Sequence, residues 1–229
     1  MLPFSILNFT LYLKENPLNY LLLQCVFQVI CKRLVLKKVM LLHLLYHHFY
    51  ELCHEFKNYY RIFTDGSKEG NRAAAAVVHR DNTKCVRLPD AASIFRAELY
   101  ALLLAIDVVR RSKEKNFVIF SDSKSSLQSI NGFNLDSDLV EKFLKDYTVL
   151  TKNGKNIILC WIPSHVGIFG NEKADAAAKS ALSLPVTGMK LPATGMYPRI
   201  TKLIFDEWQE VWKYGTAALE TNYMLLDLL

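Results

Sequence analysis

The chain has 229 residues, 51% of them hydrophobic, with 28 Lys+Arg against 22 Asp+Glu and a formal charge of +6. That length holds one domain of about 100–200 residues plus extensions, and the composition excludes disordered, collagen-like and low-complexity chains. Five scattered cysteines (Cys25, Cys31, Cys53, Cys85 and Cys160) form no C-x-x-C pair. They speak against a disulfide framework or zinc ribbon and for reduced thiols in an intracellular protein of cytoplasm or nucleus.

Residues 1–58 read as an apolar N-terminal extension. Asn16 to Cys31 carries no charge but includes Gln24 and Gln28, and it is shorter than the roughly 20 apolar residues of a spanning helix, so no membrane association is expected. Leu18, Leu21, Leu22, Cys25, Val26, Val29 and Ile30 recur at helical spacing. His43, His47 and His54 share one helical face, yet no acid or cysteine stands at a spacing that completes a metal site. They are read as incidental.

From Tyr59 the pattern changes. Tyr59–Thr64 is a strand expected to end at an Asp65-Gly66-Ser67 turn, and Ala73–His79 and Cys85–Leu88 follow as strands of an antiparallel meander. Ser93 caps a helix over Ile94–Arg111, whose apolar stripe runs through Leu99, Leu102, Leu103, Ile106 and Val109. Phe117–Ser121 is the apolar run of a buried parallel strand. Helices at 124–131 and 137–151, a fifth strand at Asn156–Trp161 and a helix at Asn171–Leu182 complete a domain over 59–182. The order of elements predicts an α/β fold, a five-stranded mixed sheet of three antiparallel strands and then two parallel ones, flanked by helices. Prolines and glycines mark 183–199 as a linker, and 200–229 is a C-terminal segment with an amphipathic helix over Ile200–Tyr214.

Asp65 and Asp122 each follow a central strand, where an open α/β sheet forms its ligand crevice. Glu98 lies on the same helical stripe as Phe95, Ala101, Leu102 and Ala105, so the face that packs on the sheet carries a carboxylate inward. Buried and unpaired it is prohibitively costly unless protonated, paired or metal-bound, and no lysine lies one turn away. Asp175 stands among Ala174, Ala176, Ala177 and Ala178, small residues that let the last helix approach the sheet. Four converging acids repel each other unless divalent cations join them, and all-oxygen ligation suits Mg²⁺ or Mn²⁺ rather than zinc. Carboxylate-held metal pairs serve in-line displacement at phosphorus.

Thr64-Asp65-Gly66-Ser67, Phe95-Arg96-Ala97-Glu98-Leu99, Ser121-Asp122-Ser123 and the run Trp161-Ile162-Pro163-Ser164-His165 to Asn171-Glu172-Lys173-Ala174-Asp175 together resemble the type 1 ribonuclease H family, particularly the domains of non-LTR retrotransposon polyproteins. The resemblance covers about Tyr59 to Leu182. It implies the ribonuclease H-like fold, two Mg²⁺ ions held by Asp65, Glu98, Asp122 and Asp175, and hydrolysis of the RNA strand of RNA–DNA hybrids to a 5′ phosphate and a 3′ hydroxyl. It implies for His165, in a mobile loop, assistance to proton transfer or product release. Gly66, Ser67 and Ser93 become the substrate-binding candidates, Ser93 because the family often has a phosphate-contacting hydroxyl there.

The chain departs from cellular enzymes in having Ile94 and Phe95 where asparagines are common, and in lacking a basic, Trp-rich protrusion after the fourth strand. Weak intrinsic hybrid affinity is therefore expected, with Arg72, Arg87, Arg96, Lys124 and Lys173 as phosphate-contact candidates against a reading as solvated charge. The competing function is an inactive nucleic-acid-binding module of the same fold. Such a module would normally have lost one of the acids, and all four stand here. Another nuclease or integrase of the superfamily should lack the His165-to-Asp175 motif. With no Tyr-x-Asp-Asp polymerase signature, the chain reads as a monomeric ribonuclease H domain separated from a larger reverse-transcribing protein.

Overall fold

A computed structural model describes residues 11–12, 34–133, 137–188 and 200–213. In chain order the elements are β1 (Leu11–Tyr12), α1 (Leu34–Glu55), β2 (Tyr60–Glu69), β3 (Arg72–His79), β4 (Asn82–Arg87), α2 (Ile94–Arg111), β5 (Asn116–Ser121), α3 (Lys124–Asn131), α4 (Asp138–Lys152), β6 (Asn156–Trp161) and α5 (Phe169–Ala181). A further helix, α6, covers 200–213. The sheet order is β1-β6-β5-β2-β3-β4, with β2, β3 and β4 antiparallel and β5 and β6 parallel to β2. These five strands are the expected mixed sheet. A sixth, the two-residue β1, adds to the outer edge of β6 through Leu11↔Leu159 and Tyr12↔Cys160, a pairing that two residues of sequence could not announce.

Alternation along β5 and β6 sorts their side chains between two layers. Phe117, Ile119, Ile157 and Leu159 face a cluster completed by α2 and α4, whereas Val118, Phe120, Ile158 and Cys160 face the other side. That second side is divided: α5 packs on β2, β3 and β4, and α1 brings Leu52, with Phe56 just past its end, against β5 and β6. The change in composition at residue 58 is thus no break in packing. The expected apolar helix over 18–30 and most of the 183–199 linker lie outside the described residues. The start of that linker is tied down, since Val186 bridges Arg87 and the Thr187 N–H donates to the Arg87 carbonyl at 3.0 Å.

Local chemistry accounts for the elements that carry the site. Ser93 accepts the Arg96 N–H at 3.0 Å as N-cap of α2, and Arg110 and Arg111 in its last turn suit the negative helix end. Ala73 to Ala76, good helix formers, are strand and wholly buried, with Ala75 in the cluster that α2 fills and Ala74 packed with Ala181 of α5 on the other face.

One strand differs from expectation in a way that matters. The Asp65-Gly66-Ser67 sequence is no turn: β2 continues through it to Glu69, with Asp65↔Ala76, Gly66↔Ala75 and Ser67↔Ala74 in register, and the chain reverses at Gly70, φ +57°. Gly66 is present for another reason. A Cβ there would stand 2.7 Å from the Glu98 backbone nitrogen and 2.9 Å from the Ala97 carbonyl carbon, so the glycine lets α2 cross directly on β2. In α6 the Trp208 and Trp212 rings stack with centroids 5.5 Å apart.

Candidate active site

Strand β5 stops at Ser121 while β2 runs on, so Asp65 and Asp122 are the residues immediately beyond the last β2–β5 pair, Thr64↔Ser121. Crossing above them at Gly66, α2 delivers Glu98. Ligand oxygens of Asp65, Glu98 and Asp122 lie within 4.8 Å of one another. Asp65 is 6% exposed, and one Glu98 oxygen, Oε2, is buried without a hydrogen-bond partner.

Such a cluster resists ionisation. Burial first, then the charges of Asp65 and Asp122, pushes the Glu98 carboxyl up to about 9. Burial, followed by Asp122 and Asp175, raises Asp65 to about 8. The Gly66 backbone hydrogen-bonds both carboxylates and pulls the other way, too weakly to reverse either shift. An orphaned carboxylate oxygen in a nest of acids is what a divalent cation would satisfy, and an all-oxygen donor set with no thiol or imidazole in it fits a hard ion.

The fourth acid arrives on α5. Asp175 stands in a neighbouring group with His165 and Glu172, ligand atoms again within 4.8 Å, and its charge reaches Asp65. His165 adopts φ +52° in the loop before α5, followed by Gly167 at φ +83°. Glu172 accepts the Gly167 N–H at 3.2 Å and so braces that loop. The sequence-predicted acids and His165 are therefore brought to one end of the sheet, as two adjoining sets.

Three residues of this site were not singled out from the sequence. Asn171, 1% exposed, donates from Nδ2 to Asp122 Oδ2 at 3.1 Å. Trp161 Nε1 donates to the Asp122 carbonyl at 3.0 Å. Lys179 reaches Asp175 Oδ2 at 2.7 Å, one helical turn further along α5. Asn171 and Trp161 lay inside the recognised motif, and the i,i+4 spacing of Asp175 and Lys179 was the available signal for the third.

The substrate-binding candidates divide. Gly66 lies beneath α2, Ser67 is 9% exposed, and exposed Ser93 spends its oxygen capping α2. Among the basic candidates, two are corrected. Arg96 is buried and holds Asp138 through two 2.7 Å bonds, and Arg87, 8% exposed, binds Asp90 and the Leu182 carbonyl. Both are structural ties between elements. Arg72 pairs with Glu69 at 3.1 Å on the surface. Of the N-terminal histidines, His47 lies 3.7 Å from Glu51, and among the described residues none joins a cluster that could hold a metal.

The sequence matches the family model described as RNase H over residues 57–183. The chain belongs to the RNase H family. The match begins and ends within two residues of the segment marked out by the motifs. Similar solved structures include RNase H1 from the halophilic archaeon Halobacterium salinarum NRC-1, 22% identical over 54% of this chain and 96% of that one with a TM-score of 0.42. LC11-RNase H1, solved in complex with an RNA/DNA hybrid, is 18% identical over 54% of this chain and 99% of that one with a TM-score of 0.43. Asp65, Glu98, Asp122 and Asp175 all lie within the matched residues of this RNase H domain. Among the described residues no helix is long and apolar enough to cross a membrane, and Cys53, Cys85 and Cys160 are free thiols.

Proposed function

We propose that the chain hydrolyses the RNA strand of RNA–DNA hybrids, with two divalent ions, Mg²⁺ or Mn²⁺, held by Asp65, Glu98, Asp122 and Asp175. The observation that carries this reading is the convergence of three mutually repelling carboxylates with Glu98 Oε2 buried and unpartnered. An inactive binding module has no use for so costly an arrangement. Ions of this kind, when bound, lower the pKa of an attacking water and offset charge on the leaving 3′ oxygen.

The chain's own residues do the rest. Asn171 and Trp161 fix Asp122 through its carboxylate and its carbonyl. The β2–β5 register and the α2 crossing hold Asp65 and Glu98 without reorganisation, so the geometry exists before substrate arrives. To His165, exposed and beside Asp175, we assign the holding or passing of a proton at the leaving oxygen or the opening of the exit for product. The likeness of the motifs to non-LTR retrotransposon domains supports descent from such a polyprotein, the free thiols of Cys53, Cys85 and Cys160 support an intracellular location, and the chain is read as a monomer.

Substrate class is tested by offering the purified chain a labelled RNA strand alone, in an RNA duplex and in an RNA–DNA hybrid, with Mg²⁺. Cleavage confined to the hybrid supports the proposal. Binding of hybrid without cleavage in either metal would transfer it to the binding-module reading.

A further inference from the structure

Helix α1 lies outside the residues that the family model matches, yet its side chains reach the underside of the catalytic strand ends. Tyr46, Phe49 and Leu52 form a stripe along it that Phe56 continues just past its end; Leu52 and Phe56 belong to the buried cluster that also takes Val118, Phe120 and Ile158, and Tyr46 and Phe49 pack against it. Leu52 and Phe56 are buried there. Phe49 does something more specific. Its ring meets Phe120 edge-on, with centroids 5.5 Å apart, and lies 6.4 Å from Phe63. Phe63 and Phe120 are cross-strand partners and stack on each other at 5.1 Å.

That aromatic trio stands directly behind the site. Phe63 is two residues before Asp65, and Phe120 two before Asp122. The Phe63 ring is also the floor on which α5 begins: a Cβ at Gly170 would fall 2.4 Å from it, so the backbone beside Asn171 rests on the ring. The His165 loop is anchored in the same cluster, through Val166 and buried Ile168. Strand ends, helix start and histidine loop thus share one set of contacts, whose remaining wall is α1.

We propose that α1 is a positioning element of the metal site, with Phe49 as the residue through which it acts. The proposal rests on the metal-site reading above and adds to it a part that the family domain does not contain. Interiors are close-packed and pass on displacements rather than absorbing them, and metal ligands depend on outer contacts for their orientation. Withdrawing the Phe49 ring frees Phe120 and Phe63 to move, and with them Asp122, Asp65 and the first turn of α5.

The test uses the full chain. Mn²⁺ binding is read by the electron paramagnetic resonance of the free ion in wild type, Phe49→Ala, the milder Phe49→Leu, and Leu150→Ala. Leu150 is 5% exposed on α4, in the core cluster of the other face, so its truncation removes core packing without touching the trio. The proposal expects Phe49→Ala to weaken Mn²⁺ binding roughly tenfold, Phe49→Leu to weaken it less, and Leu150→Ala to leave it within about twofold of wild type when all are folded. Equal Mn²⁺ affinity in the Phe49 variants and Leu150→Ala overturns it. If Phe49→Ala does not fold, the same comparison is made with Phe49→Leu. If wild type itself binds no Mn²⁺, the metal-site reading fails, and amide hydrogen exchange over residues 165–172 then decides the positioning claim. Exchange faster in the Phe49 variant than in Leu150→Ala upholds it, and equal exchange refutes it.

Discussion

Thr64 of β2 pairs with Ser121 of β5, and the residue that follows each of them in the chain is a carboxylate. A single register therefore sets two of the four acids side by side. Because side chains alternate along a strand, a slip by one residue would turn one of the two to the opposite face. The apolar runs on both strands pin the register, with Ile62 and Ile119 wholly buried on one face and Phe63 stacked on Phe120 across the other.

Glu98→Gln separates the cost of the site from its use. The buried carboxyl, pushed up to about 9, must hold a proton at neutral pH in the metal-free protein, whereas an amide carries no such burden. The variant is expected to melt several degrees higher than wild type in EDTA, as read by differential scanning calorimetry. It should lose both the stabilisation by Mg²⁺ and cleavage, the latter by roughly a thousandfold or more.

Stability should fall with rising pH when metal is absent. Asp65 and Glu98 have folded values of about 8 and about 9, above their ordinary 3.8 and 4.5. Between the ordinary and the raised values the folded state therefore binds protons that the unfolded state has released, and stability is lost as pH rises through that window. Bound Mg²⁺ favours the ionised forms, so its stabilising effect should grow from pH 6 to pH 9. Melting temperatures in EDTA and in Mg²⁺ across this range check both slopes.

Gly66→Ala should be disruptive although alanine is tolerated at three successive positions opposite, Ala74, Ala75 and Ala76. Its Cβ would press on helix backbone at 2.7 and 2.9 Å, and backbone cannot rotate aside as a side chain does. A loss of roughly 1–3 kcal/mol is expected by denaturant unfolding, with activity reduced through displacement of Glu98.

Arg96→Ala tests a correction to the sequence reading. If the guanidinium serves Asp138, as the two 2.7 Å bonds indicate, the substitution costs roughly 1–3 kcal/mol of stability. The salt dependence of hybrid binding should then stay unchanged, because no phosphate contact is lost. A shallower salt slope would return Arg96 to the nucleic-acid interface.

What the sequence disclosed follows from the range of the interactions involved. Periodicity and caps are local, so α2, α3 and β6 end where the pattern says they should. The four acids are legible because their motifs are contiguous. Longer-range features were hidden. Asp65-Gly66-Ser67 looks like a turn to local rules, and only the crossing of α2 explains its glycine. Arg96 looks like a free cation until Asp138, 42 residues away, is brought beside it. The contribution of α1 was masked by a change of composition at residue 58 that the packing ignores.

The central claim is tested most directly by incubating the purified full chain with an RNA–DNA hybrid labelled in the RNA strand, with Mg²⁺ or EDTA, beside Asp65→Asn and Asp122→Asn. The account predicts cleavage of the RNA strand to 5′-phosphate and 3′-hydroxyl ends that requires Mg²⁺ and disappears in both variants while hybrid binding persists. Cleavage that survives either substitution, or a wild type that binds hybrid and leaves it whole, would contradict it.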